Sequence, residues 1–248
     1  MRLNAQTSLE IVSCCVFGGV TLYLVRSGKY LSYVTPRMEP YLYFTAVVMG
    51  IWALSALGRL RPQHKVRSAH CLVLAIPVLL LLLPHSPLDI SDLSGNKKAA
   101  VAPPKAERRS KPPEETALPD SDAAAAKIAA ASNDDFGFWL SELYMHAEQY
   151  EGYPITATGF VCKDPELLKD DEFALARLMM TCCAADLMPV GFVCRSEAAS
   201  QLKAESWVTV DGVMGKVESQ GGSEKYEPRI VVEKIAPARA VKGYIYPY

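Results

Sequence analysis

The segment Thr181-Cys182-Cys183-Ala184-Ala185-Asp186 brings two thiols and a carboxylate close together in the chain. Deprotonated thiols and carboxylates are the donors a divalent transition ion takes, and thiolate favours zinc among the common ones. Adjacent residues of a strand point to opposite faces. Cys182 and Cys183 therefore serve one site only if the strand ends or bulges between them. Asp186, three residues beyond Cys183, and Pro189 make a strand end there plausible. Cys182, Cys183 and Asp186 are the candidate metal ligands.

The same residues admit plainer readings. Cysteine is among the most buried residue types, so Cys162, Cys182 and Cys194 can simply fill a core. In an oxidising compartment Cys182 or Cys183 can pair with Cys162 or Cys194 as a disulfide. Asp186 can be a turn-former. No Cys-x-x-Cys pair accompanies the segment. A thiol redox role needs an activating base or positive field. His146 is far from the thiols in sequence, and Arg177 and Arg195 are the nearer cations. His64, His70 and His85 flank apolar stretches, where polar residues serve as interfacial anchors more often than as metal ligands. No Ser-His-Asp pattern, phosphate loop, Gly-x-Gly-x-x-Gly motif or credible carboxylate pair is present, so no enzyme is expected.

Three elements must position this segment. The N-terminal part, 1–94, is apolar. Its runs 9–25 and 41–57 reach the ~17 residues needed to cross hydrocarbon, and backbone polar groups there require helices. A third run, 71–84, is shorter and carries Pro77, giving two to three transmembrane helices. Ser13-Cys14 resembles a lipoprotein cleavage box, but too few apolar residues precede it, and the first run reads as an uncleaved anchor. Arg59, Arg61, Lys65 and Arg67 crowd the second loop, against Arg26, Lys29 and Arg37 in the first. With three helices this places the C-terminal domain outside the cell. The stretch 95–133 is rich in Pro, Ala, Lys, Glu and Ser with almost no large side chains, and reads as a disordered linker.

From 134 to 248 the chain reads as a small soluble domain. Asn133, Asp134 and Asp135 offer helix-capping chemistry ahead of Phe136, Trp139, Leu140, Leu143 and Tyr144 at helical spacing. Ile155–Cys162, Phe173–Cys183, Val190–Cys194, Trp207–Val217 and Ile230–Ile235 then read mostly as strands, although Phe173–Cys183 can also begin as a helix. Gly212 and Gly215 suggest a bulge or barrel corner. The expectation is a membrane-anchored chain: a transmembrane helical region plus a mostly-β, OB-like barrel with one helix. The domain holds 11 Lys+Arg against 18 Asp+Glu, a net of −7, which argues against nucleic acid as a partner.

The blocks GKYLSYVTPRMEPY, DFGFWLSELY, YEGYPITATGFVCKD, RLMMTCCAADLMPVGFVC and WVTVDGVM together resemble the bacterial permease-subunit proteins of the DUF1980 family. The resemblance covers nearly the whole chain outside the linker, and Cys-Cys-Ala-Ala-Asp is its most specific element. It implies an accessory subunit in the membrane, partnered by a separate polytopic permease, with a link to zinc handling. No catalytic residues come with it. The rival expectations are a docking protein with no ligand and a thiol redox protein.

Overall fold

The computed structural model describes residues 5–58, 76, 88, 128–165, 167–218 and 226–247. The chain divides into two compact units, Met1–Pro87 and Leu88–Tyr248. The third apolar run, apart from Ile76, and the linker up to residue 127 lie outside the described residues.

In the first unit, helix α1 (Ala5–Arg26) and helix α2 (Glu39–Leu57) form a hairpin. Small side chains make the contact. Ala46, Ala53 and Ala56 of α2 are buried, as are Cys14 and Thr21 of α1, and a Cβ on Gly18 would sit 3.4 Å from Met49 Cβ. Such residues let helix backbones approach closely where no water is present to drive association. The large apolar side chains point the other way: Tyr41, Phe44, Val47, Ile51, Trp52 and Leu54 are all exposed. Hydroxyls within the apolar stretches are satisfied locally, Thr21 donating to Phe17 O and Thr45 to Tyr41 O, each at 2.9 Å. Gly28, at φ +70°, permits the turn that reverses the chain. Tyr30 closes the loop by donating to Glu39 at 3.1 Å. Thr7–Arg26 and Pro36–Leu57 are long and apolar enough to cross a membrane.

The second unit is a closed five-strand barrel with one helix. Strands β2 (Pro154–Cys162), β3 (Glu172–Met179), β4 (Met188–Arg195), β5 (Trp207–Glu218) and β6 (Tyr226–Pro237) pair in the cyclic order β2-β3-β4-β6-β5 and back to β2. The β4–β6 contact is parallel; the other four around the ring are antiparallel. The expected bulge is present: the β5–β6 register slips between Asp211 and Gly212, where a Cβ on Gly212 would collide with Val231 O. Gly215 has no such constraint.

Two elements were not expected where they occur. A short strand β1 (Ile128–Ala130) runs parallel to β2, inside the stretch read as linker. Ser132 is the residue that caps helix α3 (Asn133–Met145): it accepts from the Asp135 N–H at 3.0 Å while Asp135 returns the bond. Helix α3 then lays Phe136, Leu140 and Leu143 into the core beside Phe173, Leu175, Phe192 and Cys194.

Arg177 of β3 faces this core and is 1% exposed. Its guanidinium donates to Thr158 O at 2.7 Å, to Asn133 Oδ1 at 2.8 Å and to Ala131 O at 2.6 Å, and lies 4.9 Å from the Phe136 ring centre. It thereby joins β3, β2 and the start of α3. Burial lowers its pKa to about 10, which still leaves it charged at neutral pH. Removing one side of a buried hydrogen-bonded group leaves its partners unpaired. Arg177→Met should therefore lower stability by roughly 2–4 kcal/mol, and Arg177→Lys should not restore it because one ammonium nitrogen cannot reach the acceptors that Nε, Nη1 and Nη2 meet separately. Thermal unfolding of the detergent-purified chain, followed by near-ultraviolet circular dichroism, checks this. An unchanged midpoint in Arg177→Met would remove the guanidinium from its structural role.

Candidate functional site

Strand β3 ends at Met179, four residues before the end expected from sequence, so Cys182 and Cys183 lie in the β3–β4 connection rather than in a strand. The alternation that would separate the two side chains does not apply there. Their sulfurs are 3.6 Å apart. Cys182 is exposed and Cys183 half-buried.

Both ends of the connection are fixed. The C-terminal segment adds to the end of β3: the Met180 N–H donates to Ile245 O and the Ile245 N–H to Leu178 O, both at 2.9 Å. Gly243, at φ +91°, turns the chain into this position, and a Cβ on Gly137 would come within 2.7 Å of Ile245 Cγ2. Beyond the cysteines, Leu187 is fully buried in a second apolar cluster with Phe160, Leu178, Met180 and Tyr244.

Between these anchors Asp186 organises the turn. Its carboxylate accepts the backbone N–H of Thr181 at 3.0 Å and of Cys182 at 2.6 Å, and its own N–H donates to Cys183 O at 3.0 Å. The Cys183 N–H and the Cys182 thiol also act on this carboxylate electrostatically. A carboxylate offers about four acceptor positions, and the N–H groups of Thr181 and Cys182 take two of them. Burial by itself would raise the Asp186 pKa. The Cys182 thiol, and after it the backbone N–H groups, outweigh burial and hold the carboxyl below its usual range. The reciprocal effect falls on Cys182. Asp186 first, then Cys183, push the thiol pKa up to about 12, so it is protonated at neutral pH.

The structure thus brings the three expected ligands together, but in hydrogen-bonded form. Among the described residues no three His, Cys, Asp or Glu side chains surround a point where a metal ion would sit. The reason is visible in Asp186, whose oxygens are turned to the backbone. The separation of the two sulfurs is the quantity to compare with a metal's needs. Two thiolates on a tetrahedral zinc, at about 2.3 Å each, stand ~3.8 Å apart.

The other cysteines are not part of this group. None of the described cysteines is in a disulfide. Cys194 is buried in the barrel interior, where desolvation raises its pKa, and burial pushes Cys162 up to about 12. The residues considered as thiol activators are engaged elsewhere. The Arg177 guanidinium is committed as described, Arg195 pairs with Asp171 at 2.7 Å, and His146 Nδ1 lies 3.1 Å from Glu142 Oε1. His64, His70 and His85 lie outside the described residues.

Two family models match the chain. The DUF1980 N-terminal domain matches residues 9–99, and the DUF1980 C-terminal domain matches residues 108–247. The chain belongs to the DUF1980 family. A search of curated proteins finds no match. In this DUF1980 chain the first domain model holds the helical hairpin, and the second holds the barrel with its dithiol turn.

The hydrogen bonding implies a clear effect of removing Asp186. Alkylation requires the thiolate, whose fraction falls tenfold for each unit by which the thiol pKa lies above the pH. With the pKa of Cys182 held at about 12, its reaction with iodoacetamide should still be climbing above pH 10. Asp186→Asn removes the anionic acceptor, so the curve should move to lower pH and the rate at pH 8 should rise about tenfold or more. Peptide mass spectrometry of timed alkylations measures both. Equal rates in the two proteins across the pH range would contradict the Asp186–Cys182 coupling.

Proposed function

We propose that this protein is a membrane-anchored, multi-pass accessory subunit of a polytopic permease, and that its barrel presents the Cys182–Cys183 turn to zinc as cargo. It acts by binding rather than by catalysis. The observation that carries the metal reading is the sulfur pair with a 3.6 Å bite, one thiol exposed and the other half-buried, set by the Asp186-capped turn. The outward apolar faces of α1 and α2 support anchoring, since a contiguous surface of that size is unfavourable in water. The basic loop at 59–67 supports placing the barrel outside the cell.

The cyclic strand order with one parallel closing pair is that of an OB-type barrel, a framework that hosts many ligands and names none. Zinc would enter by displacing the thiol protons, leaving both sulfurs as ligands. The Asp186 carboxylate beside them would then be open to the ion. Cys182, Cys183 and Asp186 together make an incomplete set, unlike the closed four-ligand shell of a structural zinc site. A docking protein without a ligand remains the rival reading, and its distinguishing mark is indifference to the cysteines.

Cells lacking the chain, supplied with wild type or with Cys182→Ser/Cys183→Ser, separate these readings. The chain should stay in membranes after alkaline carbonate washing. The double variant should be present there at the wild-type level, yet leave cellular zinc content shifted as in the deletion. Restoration of normal zinc content by the double variant would overturn the metal role. Release of the chain by carbonate would overturn the anchor.

A further inference from the structure

We infer that the turn between α1 and α2 binds the headgroup of an anionic phospholipid through Arg26, Lys29 and Arg37. This rests on the reading of the two helices as a membrane anchor, and adds the lipid chemistry that the anchor selects.

Charge is the first observation. The unit Met1–Pro87 carries eight Lys+Arg in its sequence against two Asp+Glu, Glu10 and Glu39. Glu10 lies about 24 Å along α1 from Arg26, at the rise of a helix. Glu39 stands at the turn, where it accepts the Tyr30 hydroxyl at 3.1 Å. Arg26, Lys29 and Arg37 are all exposed at this end of the hairpin. One nearby carboxylate cannot balance three cations, so the counter-charge for two of them comes from outside the unit.

Position selects the kind of anion. Tyr23 in the last turn of α1, and Tyr41 and Tyr43 at the start of α2, are exposed. Further along α2 the exposed side chains become purely apolar, with Phe44, Val47 and Ile51. A tyrosine ring, apolar in its body and polar at its hydroxyl, belongs where hydrocarbon meets headgroups. The three cations therefore lie at the depth of lipid phosphates. Lys29 is held at this boundary. Its ammonium donates to Tyr23 Oη at 3.0 Å and lies 5.2 Å from the ring centre. Two of its three N–H donors are left for an acceptor. A phosphodiester presents anionic oxygens that suit ammonium and guanidinium groups. A zwitterionic headgroup brings a cation of its own to a place already rich in positive charge; an anionic headgroup does not.

Native mass spectrometry reads the site on the full-length chain, released from neutral detergent micelles doped with phosphatidylglycerol or phosphatidylcholine. The expected result is a phosphatidylglycerol held at least tenfold more tightly than phosphatidylcholine. Arg26→Gln, Lys29→Gln and Arg37→Gln should each weaken it about fivefold. Arg26→Lys/Arg37→Lys keeps the charge and should keep most of the preference, which separates lost charge from lost fold. Equal retention of the two lipids by the wild-type chain would overturn the inference while leaving the anchor standing. So would a preference abolished by Arg59→Gln/Arg61→Gln but untouched by the three Gln variants of the turn. Displacement of the lipid by millimolar inorganic phosphate would also overturn it, assigning the cations to a free anion. Absence of any lipid adduct, in a chain that alkaline carbonate releases from membranes, would remove the anchor and the inference with it.

Discussion

The barrel depends on a charge buried without a carboxylate partner. Arg177 lies in the core and is held by two backbone carbonyls, one amide oxygen and an aromatic face. A buried cation is tolerated only when its donors are met. Meeting them here fixes three elements at once: β3, which carries the arginine; β2, through Thr158; and the entry to α3, through Ala131 and Asn133. The same β3 strand then runs out into the dithiol turn. Asn133 extends the connection by donating from Nδ2 to Lys242 O at 3.0 Å, just before the C-terminal residues that pair with the end of β3. The guanidinium and the dithiol turn therefore belong to one continuous framework.

Within that framework the turn is a balance between a carboxylate and two thiols. Asp186 gives the turn its shape and, by its charge beside the Cys182 thiol, keeps that sulfur protonated. This disfavours nucleophilic and redox chemistry, which proceed through the thiolate. Adjacent cysteines are also poorly placed for a disulfide with each other. Their Cα atoms are about 3.8 Å apart across a trans peptide, short of the usual disulfide range. Capture of a thiophilic ion, the role proposed above for the pair, would have to displace the same protons.

Much of this arrangement was legible in the sequence where periodicity and turn chemistry speak locally. The apolar runs 9–25 and 41–57 fall inside α1 and α2, the stripe from Phe136 to Leu143 is helical, and Gly212 marks the bulge. The condition for Cys182 and Cys183 to act together, a strand ending or bulging between them, could be stated from the two-residue period of a strand. That the strand instead ends at Met179, ahead of both, could not be read, because its end is set by contacts distant in sequence. Ile245 pairs with the end of β3, and Leu187 anchors the far side of the turn. The short strand Ile128–Ala130 was hidden for a related reason. An alanine-rich tripeptide has no strand signal of its own and is recruited by parallel pairing to Ile155–Ala157. Arg177 was visible only as a cation near the cysteines, since arginine is almost never fully buried and nothing local marks this one as an exception.

The central claim is that two adjacent sulfurs on a capped turn, and no others, bind the metal. X-ray absorption at the zinc edge, on the full-length chain purified from membranes and loaded with one equivalent of zinc, measures this directly. The account predicts two sulfur ligands at about 2.3 Å, with oxygen or nitrogen filling the rest of the shell. A shell of four sulfurs, or one with no sulfur, would contradict it.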